Sequence, residues 1–91
     1  MAFDRDSAAE RAKKDLAERL GIDVSEIGER VTEEDFPDMA LGAAEAGEMA
    51  AQMISSGWRI ELTTGGRTYE YRADKYQLRL YNFEGRNFVV E

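Results

Sequence analysis

Carboxylates are the only side chains of this sequence present in the numbers that metal or acid–base chemistry requires. Nineteen Asp and Glu stand among 91 residues, with no His and no Cys. Glu29, Glu33, Glu34, Asp35 and Asp38 fall close together and could offer oxygen ligands to Ca²⁺ or Mg²⁺. No Asp-x-Asp-x-Asp-Gly loop organises them, and strand alternation would send neighbours to opposite faces. A solvated acidic edge is therefore the favoured reading. A carboxylate pair for glycoside hydrolysis needs one raised pKa in a cleft, and so small a domain has little room for one. Ser7, Ser25, Ser55 and Ser56 lack a His base, and each sits at a cap or turn, where Ser is structurally favoured. Lys14 and Lys75 lie among polar neighbours, whereas a lysine base must be buried. Gly65-Gly66 beside Arg67 has neither a following helix N-terminus nor Walker spacing, so it reads as a hairpin turn rather than a phosphate cradle. No catalytic residue, metal ligand or cofactor site is assigned, and the chain is not expected to be an enzyme.

Recognition is the remaining chemistry. Tyr76, Arg79, Tyr81 and Phe83 lie close together near the C-terminus. With Arg72 they could form an exposed aromatic–Arg patch of the type enriched in protein hot spots. The competing and favoured reading packs these aromatics beneath the last strand. A second candidate is the loop from Leu41 and Gly42 to Gly47, rich in small residues and flanked by acids. Loops of that length in compact domains are mobile or occupied by a partner.

These residues must be positioned by a small set of elements. Ser7 followed by Glu10 reads as a capping box opening a helix. Its apolar face is Ala9, Ala12, Leu16 and Leu20, with Asp15–Arg19 as an exposed i,i+4 pair and Gly21 as the terminator. So thin and Ala-rich a stripe suits a helix lying flat on a sheet. Asp23-Val-Ser-Glu26 repeats the capping pattern over one turn and points Ile22 and Ile27 inward. Gly28 to Phe36 reads as a charged edge strand stopped by Pro37. Residues 39–54 are ambiguous. Propensity favours helix, interrupted at Gly47, whereas an extended course near Gln52–Ile54 after an irregular loop is slightly preferred. Beyond them, Trp58, Ile60 and Leu62, then Tyr69 and Tyr71, then Leu78 and Leu80, and finally Phe88 and Val90 alternate with polar residues. Turns at Gly65-Gly66, Ala73-Asp74-Lys75 and Glu84-Gly85 divide them into an antiparallel meander.

The formal charge of −7 opposes binding to phosphate backbones, so neither a nucleic acid nor an anionic membrane is expected as a partner. Nine Arg against three Lys, with abundant acids, fit a salt-adapted or GC-rich source as well as a merely acidic domain. Without Cys there is no disulfide framework. No segment has the length of a membrane span, and the first residues do not read as a signal peptide. As written the chain is expected in the cytoplasm, although an exported or lipid-anchored parent cut after its signal would look the same.

Arg19-Leu20-Gly21, Phe36-Pro37-Asp38, Leu41-Gly42, Gly47, Gln52, Gly57-Trp58-Arg59-Ile60 and Tyr69-Glu70-Tyr71 resemble, in order and spacing, a small uncharacterised prokaryotic domain. That domain is often found behind a lipoprotein or secretion signal, and the resemblance covers about two thirds of the chain. Its Leu-Gly-Cys-Pro loop is altered here, since Ala43-Ala44 replaces Cys-Pro and Ala50 stands where an aromatic is usual. The resemblance implies no established activity.

Together these readings predict a single α+β domain over residues 1–91, the first six disordered, with an N-terminal helix packed on a four- to five-stranded antiparallel meander. The expected role is a non-catalytic protein-binding or accessory module, inhibitor-like and directed at a hydrolase in one version, and monomeric or weakly dimeric. A small-ligand or metal-binding domain is the alternative.

Overall fold

The computed structural model describes residues 2–91. One helix, α1 (Arg5–Leu20), is followed by a 3₁₀ turn (Val24–Glu26). Five strands complete the chain: β1 (Gly28–Phe36), β2 (Ser55–Thr64), β3 (Arg67–Ala73), β4 (Leu78–Phe83) and β5 (Arg86–Val89). They form one antiparallel sheet in the order β1-β2-β3-β4-β5, the predicted meander with five strands. Every connection joins neighbouring strands, and all but the long one from β1 to β2 are short turns.

The helix starts earlier than the Ser7 pattern suggested. Asp4 is the N-cap, its carboxylate accepting from the Ser7 N–H at 2.8 Å while the Ser7 hydroxyl accepts from the Asp4 N–H at 2.9 Å. Ser7 thus closes the capping box from its third position, and Glu10 takes no part. Residues 4–6, expected to be disordered, form this cap and first turn, and the Phe3 N–H donates to the Lys75 carbonyl at 2.8 Å. Met1 lies outside the described residues. Gly21 ends the helix at φ 67°, where a side chain would be strained.

Sheet register explains the core. Val31, Ile60, Tyr71, Leu80 and Phe88 stand opposite one another across all five strands. Ala8, Ala9, Ala12 and Leu16 of α1 pack on this row together with Leu62, Ala73 and Leu78. Small alanines let the helix come close, and each fully buried Leu or Ile contributes about 1.5–3 kcal/mol. The Asp15–Arg19 pair is realised at 2.7 Å but is not simply exposed. Asp15 also accepts from the Tyr71 hydroxyl at 2.7 Å, a polar link between helix and sheet. Burial, reinforced by that carboxylate, pushes the Tyr71 phenol well above its ordinary range.

The next row, Thr32, Arg59, Arg72, Arg79 and Val89, faces the other way. The connection of residues 37–54 folds over this second face and contains no helix. Nor are residues 52–54 a strand, since β2 opens at Ser55.

Candidate functional site

Three arginines directly opposed on neighbouring strands would repel one another. Here each is paired with a carboxylate, Glu70 serving Arg72 and, at 3.6 Å, Arg59 as well. Arg59 pairs with Glu34 at 2.9 Å, Arg72 with Glu70 at 2.6 Å, and Arg79 with Glu48. The last pair is bidentate, at 2.6 and 2.7 Å, and Arg79 is only 7% exposed. The Arg72 guanidinium lies between the rings of Phe36 and Tyr81, 5.4 and 3.8 Å from their centroids. That sandwich contributes on the order of 0.5–2 kcal/mol and holds the planar group in one orientation.

The guanidinium groups so fixed hold the loop. Arg72 donates to the Leu41 carbonyl at 2.9 Å and Arg79 to the Ala43 carbonyl at 3.3 Å. Gln77 reaches the Met39 carbonyl at 2.7 Å, and Asn87 the Ala44 carbonyl at 2.8 Å. Backbone carbonyls that a helix would have used internally are satisfied by sheet side chains instead. This is why strong helix propensity fails over residues 39–54. Asp38 organises the entry, accepting from the N–H groups of Ala40 and Gly42 at 2.9 and 3.0 Å. Leu41 sits at φ 60° and is fully buried; burial holds this non-glycine residue in a left-handed conformation. Gly42 follows at φ 65°, and a Cβ there would lie 2.7 Å from the Arg72 guanidinium.

Glu48 locks the far end of the loop. Its Oε1 accepts from the Glu45 N–H at 2.9 Å as well as from Arg79, across a turn where Gly47 takes φ 82°. The Arg79 guanidinium, helped by that backbone N–H, holds the Glu48 carboxyl down to about 2. The Val89 N–H donates to Glu45 at 2.9 Å.

Pinned in this way, the loop turns apolar side chains outward at one end of the sheet. Met49 is 96% exposed and Ile54 75%, with Met39 and Met53 also exposed, and Tyr76 of the β3–β4 turn is 82% exposed. The Met39 and Met53 N–H groups both donate to the Ala51 carbonyl at 2.9 Å, and the Ser55 hydroxyl donates to the Met39 sulfur at 3.3 Å. Gln77, in the turn that carries Tyr76, makes the bridge to Met39 described above. Asp74 shapes this turn by accepting from the N–H groups of Tyr76 and Gln77 at 2.7 and 3.0 Å.

The residues singled out in the sequence scatter. Leu41 is core, Gly42 sits tight against Arg72, and Gly47 is an exposed turn residue. Of the suspected aromatic–Arg patch only Tyr76 is free. Arg79 is buried under the loop and Tyr81 is half-buried against Arg72. Phe83 faces the helix side, 6.0 Å from Tyr69 and 6.1 Å from Phe88. A register shift between Leu80 and Phe83, with Asn82 at φ 50°, breaks the alternation that would have kept Phe83 beside Tyr81. The exposed methionines and Ile54 escaped sequence reasoning. Their one signal was a run of apolar residues in a segment that fits no strand.

At the opposite end of the sheet lies a hollow of about 580 Å³, lined by Leu20, Arg67, Thr68, Tyr69, Asn82, Phe83 and Glu84. Among the described residues no cluster of three or more Asp or Glu is placed to hold a metal ion. No described helix is long and apolar enough to cross a membrane.

Residues 9–80 match a family described as a domain of unknown function, DUF8738, and the chain belongs to that family. No curated protein and no solved structure matches the chain.

Proposed function

We propose that this DUF8738 member is a non-catalytic protein-binding module whose docking surface is the apolar rim formed by Met39, Met49, Met53, Ile54 and Tyr76. The observation that carries this reading is the exposure of four large apolar side chains on a loop that is otherwise tightly hydrogen-bonded, together with Tyr76 on the β3–β4 turn that Gln77 bridges to it. Clustered exposure of this kind marks interaction sites, and unbranched methionines adapt to varied partner surfaces. The non-catalytic part rests on what the nucleophile candidates do. Ser7 closes a cap, Ser55 bonds the Met39 sulfur, and the Ser56 hydroxyl donates to Asp35 at 2.7 Å.

An inhibitor-like role towards a hydrolase is one form of the proposal, drawn from analogy with other small helix-on-sheet domains. The resemblance to domains behind lipoprotein or secretion signals supports an exported or lipid-anchored parent. Fractionation of the source cells distinguishes that from the cytoplasmic placement. Affinity capture followed by mass spectrometry tests the docking surface when wild type is compared with Met53→Ser/Ile54→Ser/Tyr76→Ser. At least one protein should be retained by the first and lost from the second; identical captured sets overturn the proposal.

A small-ligand role has one supporting observation, the hollow between Tyr69 and Phe83, whose volume falls within the range of drug-sized sites. Chemical-shift changes confined to these residues on fragment screening would favour it.

A further inference from the structure

Resting on the hollow between Tyr69 and Phe83 as a small-ligand site, we infer that its ligand is a zwitterion with an apolar side chain, namely an apolar α-amino acid. Leu20, Tyr69 and Phe83 form the apolar wall of this hollow of about 580 Å³, and all three are half-buried against the main core. The Tyr69 and Phe83 rings lie 6.0 Å apart, and the Arg19 guanidinium sits 5.8 Å from the centroid of Phe83. Packing of that kind fixes the wall before a ligand arrives. The same hollow is lined by one base and one acid, Arg67 and Glu84. Both are exposed, and neither has an ion-pair partner among the described residues, not even the other. An anion alone would meet Glu84 and a cation alone Arg67, whereas a ligand carrying both charges meets each with its opposite. The backbone adds a third contact. Asn82 turns its N–H towards β5, donating to the Asn87 side chain at 2.8 Å. Strand alternation then turns Tyr81 towards β3, where it stands opposite Glu70. Thr68, two residues before Glu70, faces the same way, yet the β3–β4 ladder has already ended at the Glu70–Tyr81 pair. Its N–H and C=O therefore open on the hollow that Thr68 lines. An α-amino acid carries its ammonium and carboxylate on one carbon, so the C=O of a single residue can accept from the first while its N–H donates to the second. The apolar side chain then lies against the ring wall, the usual division of labour in a small-molecule site.

The test follows the amide NMR shifts of the full chain during titration with L-phenylalanine, and with L-leucine in parallel. Each is compared with its N-acetyl derivative, which is an anion, its amide, which is a cation, and the doubly capped neutral form. The amino acid should bind roughly ten-fold or more tightly than either singly charged analogue, since each lacks one charged hydrogen bond. The shifts should be confined to Thr68, Tyr69, Phe83, Glu84 and their neighbours. Arg67→Gln should lower the amino acid to the affinity that the wild type has for the amide. Glu84→Gln should lower it to that of the N-acetyl derivative. Both side chains are exposed, so the melting temperature should not move. Equal binding of all four forms at the hollow overturns the zwitterion while the small-ligand reading survives. Binding of the amino acid that is indifferent to both substitutions places it elsewhere and overturns the inference. If neither amino acid binds but a screened fragment does, the inference alone falls. If nothing binds at the hollow, the inference and the small-ligand reading fall together.

Discussion

At the scale of single residues, the Glu48–Arg79 pair decides how the loop is held. Its carboxyl is lowered from an ordinary 4.5 to about 2 by the guanidinium. A folded-state pKa below the unfolded one stabilises above the unfolded value and is lost as pH falls through the folded one. The stability gap between wild type and Glu48→Gln should therefore be full above about pH 4.5 and shrink towards pH 2, as chemical denaturation at a series of pH values would read. A gap constant across that window would contradict the assignment. Arg79→Ala removes a charged donor to three partners, Glu48, Gln77 and the Ala43 carbonyl, and should cost about 1.5–3 kcal/mol, with faster amide exchange in residues 43–48. Gly57 is constrained differently: a Cβ there would overlap the carbonyl oxygen of Ala73 on the paired strand. Gly57→Ala should lower stability by more than about 2 kcal/mol in a urea melt, since backbone on both sides must shift.

At the scale of elements, the second face of the sheet and the loop stabilise each other. Leu41 is the loop's one large fully buried anchor in its left-handed entry, beneath carbonyls held by Arg72 and Arg79. Leu41→Ala should cost about 2–5 kcal/mol by thermal or urea unfolding, the range for a buried Leu reduced to Ala. A loss below about 1 kcal/mol would mean that the loop is not part of the cooperative unit. Because α1 packs on the opposite face, the mutant should keep its helical circular dichroism below the transition.

At the scale of the molecule, repulsion among like charges acts across the whole surface outside the core. Acids exceed bases by seven, and several acids, including Glu33, Asp35 and Asp38, have no basic partner among the described residues. Salt screens their mutual repulsion. The melting temperature should rise between low salt and about 0.5 M, and a flat or falling profile would speak against salt adaptation.

Local pattern by itself determined much of this chain. Gly21, the Asp23–Glu26 turn, the span of β1 and the Gly65-Gly66 hairpin are all set by neighbours in sequence, through φ preference, capping and period-two alternation. The candidate site was not legible in the same way. Whether Arg79 is a free hot-spot residue or the buried partner of Glu48 depends on a contact across 31 positions. Whether Phe83 joins Tyr81 depends on one register shift. Residues 39–54 have the composition of a helix, and only the donors of Arg72, Gln77, Arg79 and Asn87 draw their carbonyls into a loop. Propensity is worth tenths of a kcal/mol per residue, whereas charged hydrogen bonds in a half-buried site are worth about 1.5–3 kcal/mol each. That difference is why tertiary structure, and not local sequence, decided which side chains this protein shows to solvent.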